Sequence, residues 1–286
     1  MTTAPQTRTA RERARARLTE AGVPNVEGDL NALQERFPPD ASPHALARFE
    51  TAVAERCRRI PLGHLIGSVP FDGLELVVGT GVFIPRHEST SVVEWAASTT
   101  TLPYGGTALD LCSGVGALGL ALSRRRPDVT VTCVERDHTC LQYLARNAAR
   151  NESVLGPVTV RAADLTEPGC LDAHLGTTDL VMANPPFISP LWRLPPEWSR
   201  HQPPTAIYSG ADGLHLIRRI IELAITVLRP GGRLAIEHDK AQPPQVNALL
   251  HGDLFAEVTT LPDTAGEPRI TTARRTPSAH RHTKCA

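Results

Sequence analysis

Between residues 8 and 60, Leu18, Ala21, Leu30, Leu33, Phe37, Leu46, Phe49, Val53 and Cys57 fall at helical spacing among charged neighbours. Pro24, Pro38-Pro39 and Pro43 interrupt them, so the pattern predicts a small helical domain over residues 1–60. From Ile60 the character changes. Gly63, Gly67, Gly73, Gly79 and Gly81 separate short apolar runs, which predicts a β-hairpin connector over 61–104 with strands near 71–77 and 82–84.

From about residue 105, apolar β-type runs alternate with helical patterns. TALDL (107–111), VTVTCVE (129–135), VTVRAAD (158–164), DLVMAN (179–184) and RLAIEH (233–238) read as strands. Helices are expected from Gly116, over 138–150, over 212–228 and near 243–250, with two last strands near 256–261 and 269–274. Strands alternating with helices mean a sheet covered on both faces. The fold class is therefore α/β: a doubly wound, mostly parallel, seven-stranded Rossmann-like sheet over 105–276, followed by a flexible basic tail over 277–286. In such sheets ligands bind beyond the carboxyl ends of the strands, near the point where the strand order reverses.

Composition narrows the class. The 286 residues suit one large domain, or a domain of about 200 residues with a smaller companion. A hydrophobic content of 41% supports a packed core, and a net charge of +0 gives no overall pull toward nucleic acid. Arginines at 8, 11, 13, 15 and 17 and the basic residues Arg274, Arg275, His280, Arg281, His282 and Lys284 read as solvated termini. No CxxC pair occurs among Cys57, Cys112, Cys133, Cys140, Cys170 and Cys285, and Cys112 and Cys133 fall in apparent core strands. No apolar run is long enough to span a bilayer, so a reduced, cytoplasmic protein with buried thiols is expected. The histidines form no ligand-like grouping and no metal site is expected; His87 and His238 read as loop and strand-end residues.

Three strand ends carry candidate chemistry. Residues 110–119 read DLCSGVGALG, where Gly114, Gly116 and Gly119 satisfy GxGxxG. A glycine-rich strand-to-helix turn lets a ligand approach the backbone, and Glu135, ending the next strand, can accept from ribose hydroxyls. Dinucleotide enzymes and S-adenosylmethionine enzymes both use this arrangement. Asp164, ending the third strand, is either an acceptor for an adenine amine, or a helix N-cap or loop residue.

The fourth strand separates the two enzyme classes. It stops at Asn184-Pro185-Pro186-Phe187. Asn184 offers a side-chain carbonyl, and Pro185 a main-chain carbonyl aimed by ring-locked neighbours. Two such acceptors can grip both hydrogens of a planar NH2 group, and Phe187 can cover its flat face. Hydride transfer has no use for this clamp, whereas methylation of a poor nitrogen nucleophile does. Acceptors facing the N–H groups as positive charge develops could supply about 3–4 kcal/mol each. Alignment could supply about 7–11 kcal/mol more.

The tetrad resembles the (N/D)PP(Y/F) motif of S-adenosylmethionine-dependent amino-methyltransferases. Three further segments, PLGHLIGSVPFDGLELVVGTGVFIPRHEST, HQPPTAIYSGADGLHLIRRI and RPGGRLAIEH, extend the resemblance over about residues 18–275 to the HemK/PrmC-like protein (glutamine-N5) methyltransferases. The resemblance implies a methyltransferase domain over 105–276 with S-adenosyl-L-methionine as cofactor. Its contacts would be Asp110, Cys112, Ser113, Gly114, Val115, Gly116, Glu135, Asp164, Leu165 and Asn184. Asn184, Pro185, Pro186 and Phe187 would hold and activate the acceptor amide, Arg86 would be the connector arginine, and the helical N-terminal domain would engage the protein substrate. The implied partner is a peptide chain release factor, methylated in its Gly-Gly-Gln loop. Departures from the family pattern are Phe187 for tyrosine, DLCSGVG for DxGTGxG, Pro85-Arg86-His87-Glu88-Ser89-Thr90 for PRPxTE, Gln202-Pro203 for EP, and Leu165 where an aromatic is common. The rival acceptors are an exocyclic amine on a nucleic-acid base and a small-molecule amide or amine; a non-catalytic module that retains the fold is a further alternative.

Overall fold

Three helices form where the apolar spacing places them: α1 (Thr3–Glu20), α2 (Val26–Arg36) and α3 (Pro43–Cys57). The computed structural model describes residues 3–39 and 42–277, so the tail residues His280, Arg281, His282, Lys284 and Cys285 lie outside the described residues. Asn25 begins α2 by accepting from the Gly28 N–H at 3.1 Å, and Ser42 begins α3 by accepting from the Ala45 N–H at 3.1 Å. Leu18, Leu30, Leu33, Phe49 and Val53 are fully buried between the helices, with Ala21, Phe37, Leu46 and Cys57 packed around them. Three of the arginines of α1 are ion-paired to the neighbouring helices. Arg11 and Arg15 pair with Glu27 on α2, and Arg13 pairs with Glu50 on α3. Exposed pairs contribute little each, so burial of the apolar stripe holds the helices together.

After α4 (Leu62–Ile66), the strands β1 (Ser68–Phe71) and β2 (Leu74–Val77) form the hairpin. Two sequence expectations need correction here. The turn falls inside the predicted strand 71–77, because Asp72 and Gly73 both adopt positive φ, at 46° and 76°, as a two-residue type I′ turn requires. Residues 82–84 are not a strand: their backbone finds other partners, the Ile84 N–H donating to Gln202 Oε1 at 3.0 Å. The segments Val78–Ile84 and Leu194–Gln202 belong to the helical unit. Within it, Glu197 accepts from Arg59 and from the buried Arg56, which also bonds Asp29 at 2.6 Å. Buried charges are thus paired. A helix that the sequence pattern did not predict, α5 (Thr90–Ala97), buries Val92, Val93 and Ala96.

The second unit follows the predicted alternation. In chain order it holds β3 (Thr107–Leu111), α6 (Ala117–Arg125), β4 (Thr130–Glu135), α7 (His138–Arg150), β5 (Val158–Ala162) and β6 (Thr178–Ala183). The short α8 (Pro196–Ser199) of the helical unit intervenes before α9 (His215–Val227), β7 (Leu228–Glu237), α10 (Pro243–Leu250), β8 (Phe255–Pro262) and β9 (Pro268–Arg275). The seven strands order as β5-β4-β3-β6-β7-β9-β8. The first five are parallel, and β9 runs antiparallel to both β7 and β8. Helices α6 and α7 pack on β3, β4 and β5, while α5 and α9 pack on β6 and β7.

Two boundaries shift. β7 begins at Leu228 and not at 233, with Pro230-Gly231-Gly232 bulged out: Thr178 faces Leu228, and Leu180 already faces Arg233. Helix α9 begins at His215 and not at 212, because Gly213 takes φ 76° and the Leu214 N–H donates to Asp212 Oδ1. The strand order reverses between β3 and β6, where Leu111 lies opposite Ala183. The ends of these two neighbours frame the candidate site.

Candidate active site

Beyond β3 the chain makes a left-handed turn. Cys112, Gly114 and Gly116 have φ of 64°, 55° and 95°. Cys112 is therefore a turn residue, not a strand residue, while Cys133 is buried in β4 as expected. The three glycines of the motif do different work. A Cβ at Gly114 would meet nothing within 4 Å, so the backbone there is open to approach. One at Gly116 would sit 2.4 Å from Leu144 Cδ1, and one at Gly119 2.4 Å from Cys133 Sγ, so these two permit close packing.

Asp110 is 1% exposed and accepts from the Gly119 N–H at 2.9 Å, while its Oδ1 has no partner. Burial raises its carboxyl to about 7. Ser113 donates its hydroxyl to the Asp110 carbonyl at 2.7 Å, tightening the turn. Glu135 turns toward the loop: Oε2 accepts from the Gly114 N–H, and Oε1 from the N–H groups of Arg136 and Asp137, all at 2.8 Å. The pattern in sequence did not single out Asn147, which the structure makes a keystone. Fully buried on α7, it accepts from the Val77 N–H at 2.7 Å and donates to the carbonyls of Val77 and Val115 at 3.1 and 3.0 Å. It ties β2 to the glycine loop. An Asn at the core-facing register of an amphipathic helix was the available signal.

Asp164 lies two residues past β5, not at its end, and caps no helix. It accepts from the Thr166 N–H at 2.9 Å, from the Thr166 hydroxyl at 2.7 Å and from Arg136 at 3.0 Å, which hold its carboxyl below the usual range. Leu165 is buried beside it, its carbonyl accepting from Arg219 at 2.7 Å.

At the end of β6, Asn184 is partly exposed and donates through Nδ2 to Ser89 Oγ at 3.2 Å. Among the described residues, neither Asn184 Oδ1 nor the Pro185 carbonyl accepts a hydrogen bond. Phe187 is 8% exposed, so most of its ring is packed inward. Its carbonyl accepts from Gln242 Nε2 at 2.9 Å, and Gln242 also donates to the Asp212 carbonyl. A Cβ on Gly213 would lie 2.2 Å from the Phe187 carbonyl oxygen. The Ile188 N–H donates to the Ile207 carbonyl, and the Ser189 hydroxyl to the Ala211 carbonyl at 2.6 Å. The segment 207–213 therefore buttresses the tetrad, a role not legible in its sequence. Arg86 pairs with Glu88 at 2.7 Å, so it is Ser89, three residues on, that meets Asn184. His87 lies in a short turn and His238 is buried against Thr271 and the Asp239 carbonyl.

These residues fit a bound adenosyl cofactor on their own chemistry. An open, left-handed backbone turn, a carboxylate at the next strand end and a second carboxylate beside an apolar Leu165 are the donor and acceptor set that such a nucleoside requires. No helix among the described residues is long and apolar enough to cross a membrane.

A family model, Methyltransferase small domain, matches residues 94–192. Release factor glutamine methyltransferase of Mycolicibacterium smegmatis is 43% identical over 279 residues, 94% of this chain and 97% of that protein. The protein of the same name in Streptomyces coelicolor is 38% identical over 279 residues, 92% and 95% of the two chains. Among solved structures, the hMettl16 catalytic domain superposes with a TM-score of 0.52 at 16% identity, over 84% of this chain and 83% of that one. A methyltransferase from Pyrococcus furiosus superposes with a TM-score of 0.51 at 18% identity, over 71% and 90%. These structures share the fold, and the sequence relatives share far more: the chain belongs to the release factor glutamine methyltransferase family.

Proposed function

We propose that this protein transfers the methyl group of S-adenosyl-L-methionine to the side-chain amide nitrogen of a glutamine, in the Gly-Gly-Gln loop of a peptide chain release factor. The observation that carries the reading is the pair of unengaged acceptors at the end of β6, Asn184 Oδ1 and the Pro185 carbonyl. At the neighbouring strand end Glu135 and Asp110 Oδ2 already accept from backbone N–H groups, whereas these two acceptors are left for a visitor.

An amide nitrogen is a poor nucleophile because its lone pair is delocalised into its own carbonyl. Asn184 and Pro185 accept from the two N–H groups and stabilise them as charge develops, worth about 3–4 kcal/mol for a well-placed group. Phe187 limits the movement of the planar amide with the part of its ring that remains open. Fixing the nitrogen in line could add about 7–11 kcal/mol. No strong base is required, since the alkylated nitrogen readily loses a proton. The cofactor, when bound, supplies an electrophilic methyl group on a sulfonium. Asp110, Cys112, Ser113, Gly114, Val115, Gly116, Glu135, Asp164 and Leu165 would hold it. On the family resemblance, the helical N-terminal domain engages the protein substrate. The relatives' shared name favours the glutamine acceptor over a nucleic-acid base or a small molecule. Incubation with a labelled donor and a release factor should place label on the Gly-Gly-Gln glutamine. Absence of label from that residue would reject the substrate.

A further inference from the structure

The tetrad at the end of β6 has little main chain with which to anchor itself. Pro185 and Pro186 bring no N–H. Among the described residues, the Phe187 carbonyl is the one main-chain group of residues 185–187 that makes a hydrogen bond. Its partner is Gln242, 55 residues further along the chain, between β7 and α10.

Gln242 is 3% exposed, and its amide is engaged at both ends. Nε2 donates to the Phe187 carbonyl at 2.9 Å and to the Asp212 carbonyl at 3.3 Å, while Oε1 accepts from the Asp239 N–H at 2.9 Å. An NH2 group has two hydrogens, and both are used. The reverse orientation would aim Oε1 at two carbonyl oxygens, so the surroundings fix which end of the amide faces the tetrad. The base of the side chain is held as well. The Gln242 N–H donates to the Asp239 carbonyl at 2.9 Å, and its carbonyl accepts from the Val246 N–H at 3.0 Å. The peptide unit joining Phe187 to Ile188 is planar, and it is pinned on both sides. Gln242 holds its carbonyl, and its N–H donates to the Ile207 carbonyl at 3.0 Å. Without Gln242 that plane could swing about the one bond left, carrying the Phe187 ring with it.

We propose that Gln242 is a positioning residue for methyl transfer, which by holding the Phe187 carbonyl keeps the Phe187 ring against the acceptor amide. This rests on the reading of the tetrad as the amide clamp. The test is methyl transfer by the full-length protein, at a temperature where each variant is folded, with kcat and the donor KM measured separately. The variants are Phe187→Ala, Gln242→Met, Gln242→Glu, and each Gln242 change combined with Phe187→Ala. Methionine matches glutamine in length without its hydrogen-bonding groups; glutamate keeps the acceptor for the Asp239 N–H and, ionised, has no donor. Each Gln242 variant should lower kcat about tenfold or more with donor KM within about twofold, and Gln242→Glu gives the answer where methionine does not fold. In the Phe187→Ala background the same changes should cost less than about twofold further. A normal kcat in a folded Gln242 variant beside a slow Phe187→Ala overturns the inference and leaves the clamp standing. So does a loss carried by donor KM, or an equal cost in both backgrounds. Unchanged turnover in Phe187→Ala overturns the ring's part in the clamp and the inference together.

Discussion

The ends of β3 and β6 are neighbours in one sheet, yet they spend their polar groups differently. After β3, the turn is braced by its neighbours: Glu135 accepts from the Gly114 N–H and from two N–H groups beyond β4, Asp110 Oδ2 accepts from the Gly119 N–H, and Asn147 joins the Val115 carbonyl to Val77 of β2. After β6, Asn184 and Pro185 keep acceptors unengaged, and the bonding is displaced outward to Phe187, Ile188 and Ser189. One strand end is a braced cradle, and the other is a held pair of lone pairs. The lesson is that an open acceptor at a sheet's edge needs a rigid frame behind it, because an unpaired group on a mobile loop would simply turn to water or to itself.

Three changes sharpen the contrast, the first two large and the last small. Gly213→Ala attacks the frame of the β6 end. A left-handed non-glycine residue costs roughly 1–2 kcal/mol, and the methyl would overlap the Phe187 carbonyl oxygen. Turnover should fall at least tenfold, about 1.4 kcal/mol in barrier, with cofactor affinity changed much less. Normal turnover in a folded variant would show that the buttress does not set the tetrad's position.

Asn147→Ala attacks the cradle instead. It leaves the Val77 N–H and the carbonyls of Val77 and Val115 buried without partners, at a cost of about 2–4 kcal/mol in stability. Denaturant unfolding should show a lower midpoint with weakened cofactor binding, whereas an unaltered midpoint would remove Asn147 from its structural role.

The smallest effect is a pH dependence. Burial raises the Asp110 carboxyl to about 7 in the folded protein, above its unfolded value near 3.9. The folded state therefore binds more protons than the unfolded chain between those values, and stability from this group falls as pH rises through about 7. Asp110→Asn lacks this contribution. Wild type should lose roughly 1 kcal/mol relative to the variant between pH 6 and pH 8. Parallel melting curves across that range would remove the buried carboxylate from the account.

Much of the fold was legible because it rests on local periodicity. TALDL, the helix His138–Arg150 and the helix Pro243–Leu250 fall where the apolar spacing predicts them. The failures have physical causes. Asp72-Gly73 sits inside an apolar run, so the hairpin turn was hidden until both residues showed positive φ. Residues 82–84 carry a strand-like composition, but a backbone donor satisfied by the Gln202 side chain needs no sheet partner.

The same division holds at the site. The glycine spacing, Glu135 and the Asn184-Pro185-Pro186-Phe187 tetrad could be read directly, because each is a chemical type at a strand end. Ser89, Asn147, Gly213 and Gln242 could not. Each acts through a partner tens of residues distant in the chain, and nothing in a one-dimensional pattern records which groups the fold will bring face to face. By itself the sequence determined which residue types stand at the strand ends, since strand and helix follow from side-chain periods of two and 3.6. Only the tertiary structure decided which of those groups are satisfied and which are left open, because a hydrogen bond is a matter of distance and angle in space.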